Sequence, residues 1–87
     1  MKIKDGFVLQ EIAGTHIAVA VGKRVKEFNG LIKLNDACFF LWKILEKGAT
    51  EEQLTDALVK EYGIDKERAE KDVKAFTEKL KAKNLLI

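Results

Sequence analysis

Apolar and polar positions along this chain change period near its middle, and that change predicts its architecture. Residues 7–12 (FVLQEI) are β-prone with an apolar start. Residues 16–21 (HIAVAV) alternate, with Ile17, Val19 and Val21 on one face and smaller alanines on the other. Ala13-Gly14-Thr15 can turn the chain between them, so the two runs predict an antiparallel hairpin. A charged connection, Gly22 to Phe28, follows, with Val25 and Phe28 expected to touch the core. Asn29-Gly30 is a turn signal, because both residues tolerate φ > 0. Leu31, Ile32, Lys33 and Leu34 then make a third extended run, over about 30–34, and a three-stranded meander is the simplest arrangement.

From Ala37 the apolar spacing becomes helical. Asn35 is a good N-cap and Asp36 complements a helix N-terminus, so strand three passes into a helix over 36–47 with almost no loop. Gly48 ends that helix. Thr50 and Gln53 form a capping box for a second helix over 51–62, with Leu54, Ala57, Leu58 and Tyr62 at helical spacing and Gly63 as its stop. Asp65 caps a third helix over 66–83, whose stripe is Ala69, Val73, Phe76 and Leu80. Asn84 ends it, and Leu85-Leu86-Ile87 is expected to fold back on the domain. The predicted core contains Val19, Ile32, Leu34, Leu41, Leu45, Leu58, Val73, Phe76 and Leu80. The order βββααα predicts an α+β, winged-helix-like fold: a three-stranded antiparallel sheet followed by three helices, in a single domain over 1–87.

Composition narrows the function. One cysteine excludes an internal disulfide, and with one histidine it leaves no zinc ligand set. Cys38 as a free thiol fits a reducing cytoplasm, and no apolar run approaches a membrane span. No phosphate loop, paired-carboxylate motif or metal spacing is present, so no cofactor is expected. His16 stands in a strand pattern without a nearby acid or nucleophile candidate and reads as an ordinary surface or hairpin residue. Cys38, in the first turn of helix one, reads as a small buried hydrophobe rather than an activated thiol. Trp42 reads as packing. None of these amounts to a catalytic site, and the chain is not expected to be an enzyme.

Charge is nearly balanced, at net +2 from 16 basic and 14 acidic residues. Helix three carries seven basic against four acidic residues between Lys66 and Lys83, interleaved at helical spacing. That is the pattern of a solvated face with i,i+4 pairs, whereas phosphate binding wants bases with few acids beside them. A winged-helix DNA-binding regulator is the main alternative, and a small structural subunit a third. A peptide-binding module fits better. In a meander, strand three is an edge whose backbone can accept an added strand. About 90–100° round helix three from its core stripe lie Arg68, Asp72, Ala75, Lys79 and Ala82, a low flank with charges available for selection. The candidate peptide-binding residues are thus Leu31, Ile32, Lys33, Leu34, Arg68, Asp72, Ala75 and Lys79. Which alternate pair of strand three faces outward is left open.

FNGLIKLND at residues 28–36, followed by Trp42, Leu45, Gly48 and Thr50, resembles the PqqD-like family. So does the spacing of Tyr62, Ala69-x-x-Asp72-Val73, Phe76, Leu80 and Leu85-Leu86, and the likeness runs from Phe7 to the C-terminus. The resemblance implies a recognition domain of ribosomal peptide natural-product biosynthesis. Such a domain binds the leader of a precursor peptide along strand three, beside helix three. It presents that leader to a modifying enzyme, often a radical-SAM maturase. Cys38 and Phe39 stand where relatives often carry a small Gly-Ala pair. The segment around strand two lacks the features of the cofactor-pathway protein itself, so the likeness is to the broad family.

Overall fold

The computed structural model describes residues 1–28 and 30–87. Three strands, β1 (Phe7–Ile12), β2 (Thr15–Ala20) and β3 (Leu31–Leu34), precede three helices, α1 (Asp36–Leu45), α2 (Glu51–Tyr62) and α3 (Lys66–Ala82). The sheet is antiparallel in the order β1-β2-β3. The expected α+β architecture is therefore the observed one. Asn29, half of the expected Asn29-Gly30 turn, lies outside the described residues.

Local chemistry sets the element ends. Ala13 (φ 51) and Gly14 (φ 80) form a two-residue loop with both φ values positive, the backbone of a type I′ turn. Asn35 is the single residue between β3 and α1, and its Oδ1 accepts the Cys38 N–H at 2.8 Å. Thr50 and Gln53 make the reciprocal capping box, at 3.1 and 3.0 Å. Asp65 Oδ1 accepts the Arg68 N–H at 2.8 Å. Gly63 closes α2 in the left-handed conformation, its N–H donating to the Val59 carbonyl.

Helices cover one face of the sheet. Trp42, Leu41, Leu45, Leu54, Leu58, Val73, Phe76, Leu80, Ile32 and Leu34 share one core cluster with Ala18. Trp42 is fully buried, with the Phe7 ring edge-on at 5.6 Å. The second strand corrects the expected core. Val19 is only half-buried on the outer face, and Ala18 and Ala20 point inward. The helices supply the bulk beneath the central strand, so Ala18 and Ala20 sit where there is room for a methyl group and little more.

The connection after β2 contains a 3₁₀ turn over Gly22–Lys26 that the sequence did not announce. Val25 on it is exposed, contrary to expectation, while Phe28 packs on the core and meets Phe7 edge-on at 5.9 Å. Tyr62, expected in the α2 stripe, is instead 44% exposed and stands edge-on to Phe40; Thr55 takes the buried place. The terminal tail folds back as expected. Leu85 is buried, and backbone bonds from Lys4 to Leu85 (2.9 Å) and from Ile87 to Lys2 (2.8 Å) tie it to the first residues.

Candidate functional site: the open edge of the sheet

The direction of the backbone groups on β3 follows from the hairpin. The Val21 N–H donates to the Gly6 carbonyl at 2.8 Å, continuing the register in which Phe7 opposes Ala20. In an antiparallel pair, hydrogen-bonded and non-hydrogen-bonded pairs alternate. Val19, Ile17 and Thr15 therefore direct their N–H and C=O groups to β1. A two-residue loop requires the same parity, since it closes on a hydrogen-bonded pair, here Ile12 with Thr15. Ala18 and His16 are then left to bond β3, where they oppose Ile32 and Leu34. Leu31 and Lys33 consequently turn their backbone groups away from β2.

Among the described residues, β3 pairs with β2 alone. Its other edge presents the N–H and C=O of Leu31 and of Lys33 without strand partners. The side chains divide the same way: Ile32 and Leu34 are buried in the core, whereas Leu31 and Lys33 lie exposed on the outer face. Ile32 and Leu34 thus anchor the strand, and Leu31 and Lys33 offer its edge.

The flank of α3 with Arg68, Asp72, Ala75 and Lys79 faces away from α2. The opposite flank meets α2, where Thr77 Oγ1 donates to the Glu51 carboxylate at 3.4 Å and Glu70 and Lys74 stand beside Glu51, Glu52 and Thr55. All four residues of the candidate flank are exposed. Arg68 and Asp72 form a loose i,i+4 ion pair at 4.0 Å, and Lys79 makes no salt bridge among the described residues. Asp72 and Lys79 are both felt by the thiol of Cys38, in the first turn of α1. Burial pushes that thiol up, the Lys79 charge and the hydrogen bond at Asn35 oppose the rise, and the Asp72 charge adds to it. The charges of this flank thus lie within electrostatic reach of the α1 N-terminus, which follows β3 after one residue.

The sequence places Cys38 in the first turn of helix one but not within reach of the Asp72 and Lys79 charges, which lie more than 30 positions away. The available signal was its position directly after the strand, three residues past the cap. His16, expected to stand without a nearby acid, has two beside it. Its Nε2 is 2.9 Å from Asp36 Oδ1, and its Nδ1 is 3.6 Å from Glu11 Oε1. The ring stacks on Phe39 at 4.1 Å, and the Lys43 ammonium lies 4.4 Å from the Phe39 centroid. These contacts pin the start of β2 to α1. No nucleophile joins them, and among the described residues no group of three His, Cys, Asp or Glu side chains is placed to hold a metal ion.

The free edge of β3 leaves main-chain groups available to an extended chain. Residues 6–86 match the family model described as coenzyme PQQ synthesis protein D, PqqD. The chain belongs to the PqqD family, whose members are non-catalytic peptide-binding domains. Two solved structures are similar. TbiB1 in complex with the TbiA(beta) leader peptide has 28% identity and a TM-score of 0.75, over 99% of this chain and 94% of that one. Lasso peptide synthetase B1 complexed with the leader peptide has 18% identity and a TM-score of 0.72, over 97% of this chain and 93% of that one, a likeness of fold. No curated protein sequence matches.

Proposed function

We propose that this chain is a single leader-peptide recognition domain. It binds an extended segment of a ribosomally made precursor peptide along β3 and presents it to a modifying enzyme, such as a radical-SAM maturase, in the cytoplasm. The observation that carries this reading is the open β3 edge. Two residues with two outward groups each, Leu31 and Lys33, can form four main-chain hydrogen bonds with an added strand. Antiparallel addition extends the existing antiparallel sheet and gives bonds perpendicular to the strands. Arg68, Asp72, Ala75 and Lys79 would form the helical wall, with Ala75 keeping it low. Ile32 and Leu34 hold the strand in place from beneath.

Two similar structures, each complexed with a leader peptide, support leader binding as such. The rival reading, DNA binding, has less support: Lys66 and Lys74 of α3 stand among Glu51, Glu52 and Glu70, which reduce the local positive field. Among the described residues, no helix is long and apolar enough to cross a membrane. The testing experiment is titration with the leader of a precursor peptide encoded beside this protein, run against random duplex DNA at moderate salt. Saturable binding of the leader, with protection of the Leu31 and Lys33 amides from hydrogen exchange, is expected. Duplex binding with a steep salt slope and no leader binding would overturn the reading.

A further inference from the structure

Side chains on the outer face of the sheet form rows that cross its strands. One row, Val8, Val19 and Leu31, is apolar throughout; the next is Gln10, Ile17 and Lys33. A strand added antiparallel to β3 extends both rows by one position. One of its residues stands opposite Leu31, and the residue two places earlier in its own sequence stands opposite Lys33. Leu31 is 52% exposed, so the first row ends in uncovered apolar surface. Lys33 is exposed and makes no salt bridge among the described residues. On the α3 flank, Asp72 has Arg68 as a loose ion-pair partner at 4.0 Å, while the Lys79 ammonium is likewise without a salt-bridge partner among the described residues. Lys33 and Lys79 are thus cations without salt-bridge partners among the described residues, while the Asp36 carboxylate just beyond the end of β3 is engaged by His16.

Resting on strand addition at β3, we infer that the occupant carries a carboxylate opposite Lys33 and a branched or aromatic apolar residue opposite Leu31. Read from N to C, this is acid–x–apolar. Directly opposed residues of opposite charge stabilise a strand pair and like charges weaken it, and an apolar residue opposite Leu31 covers the surface it leaves exposed. Lys33 is then the residue that selects charge in the leader, and Leu31 the one that fixes where the apolar residue falls. The intervening residue, opposite Ile32, points to the inner side of the sheet and is not subject to the Lys33 field in the same way.

The test uses the full 87-residue chain and a displayed library of random 12-residue peptides, panned on the unaltered protein, on Lys33→Glu and on Leu31→Pro. Peptides enriched on the unaltered protein should share Asp or Glu two residues before an apolar residue. On Lys33→Glu the apolar preference should persist while the acidic position turns to Lys or Arg. For one enriched peptide, replacing its acid with Lys should weaken binding to the unaltered protein about fivefold and strengthen binding to Lys33→Glu. The same consensus on both proteins, with binding abolished by Leu31→Pro, would overturn the charge rule and leave strand addition standing. Binding that survives Leu31→Pro, or no enrichment on the unaltered protein, would overturn strand addition and the charge rule with it.

Discussion

Replacing Lys33 with proline removes one N–H from the free edge and leaves the ladder to β2 intact, because that amide points away from β2. The Lys33 side chain is exposed, so no core contact is lost. Ile32, now preceding proline, already has the extended conformation that position favours. A cost of about 1 kcal/mol is expected, from fitting the proline φ to a strand edge. Ile32→Pro, one residue away, is expected to behave differently. It removes a ladder bond to Ala18, leaves an acceptor unpaired and truncates a buried side chain, for about 3 kcal/mol or more. With about 4–8 °C of Tm per kcal/mol in a domain of this size, the two melting curves should separate by roughly 10 °C. Leader affinity of Lys33→Pro should fall at least about tenfold, near 1.4 kcal/mol, from the lost bond and the ring in the path of the strand. Circular dichroism reads the first effect and calorimetric titration the second. A Lys33→Pro protein that melts like Ile32→Pro would refute the assigned parity. One that keeps both fold and affinity would remove the β3 edge as the site.

Ala75→Glu should leave the Tm within a few degrees, since the position is an exposed helical one, and should weaken leader binding by blocking the wall; thermal melting with titration reads both. Truncating Lys74 and Lys81 should leave leader affinity nearly unchanged, as measured by titration at two salt concentrations. Ala13→Asn should raise stability by about 0.5 kcal/mol in a denaturant melt, because Asn accepts the φ of 51 more readily than Ala. Cys38 should alkylate more slowly than a free thiol at neutral pH, because burial raises its pKa and lowers its thiolate fraction; the rate should rise only at a pH above the ordinary thiol range, as followed by mass spectrometry.

Helix boundaries were legible because each helix start is written in residues that act locally. Asn35, Thr50 with Gln53, and Asp65 all cap backbone groups three positions away. The flank of α3 was legible too, since 3.6-residue periodicity places Arg68, Asp72, Ala75 and Lys79 together whatever the helix packs against. What the sequence withheld depends on distant partners. Alternation in β2 separates Val19 from Ala18 but does not say which faces the helices. Trp42, 24 positions beyond Ala18, fills the space that decides it. The same holds for His16, whose nearest acid on α1 is 20 residues away. The outward pair on β3 was hidden for a third reason. Its parity comes from a hydrogen bond between Val21 and Gly6, in another part of the sheet.

The alternation along β3 also bears on how such a domain can diverge. Since the residues whose backbone faces the free edge are those whose side chains face solvent, positions 31 and 33 can exchange side chains without disturbing Ile32 or Leu34 beneath. For a strand added at β3 as proposed, the main-chain hydrogen bonds would stay the same while the two replaceable side chains at 31 and 33 contribute to preference for one partner over another. On β1 the relation is reversed: there Phe7 and Leu9 turn their backbone groups to the free edge while their side chains pack on the core. A substitution that changed what β1 recognises would also change what holds the protein together. Of the two open edges, β3 is the one on which new specificities can be tried at little cost to folding.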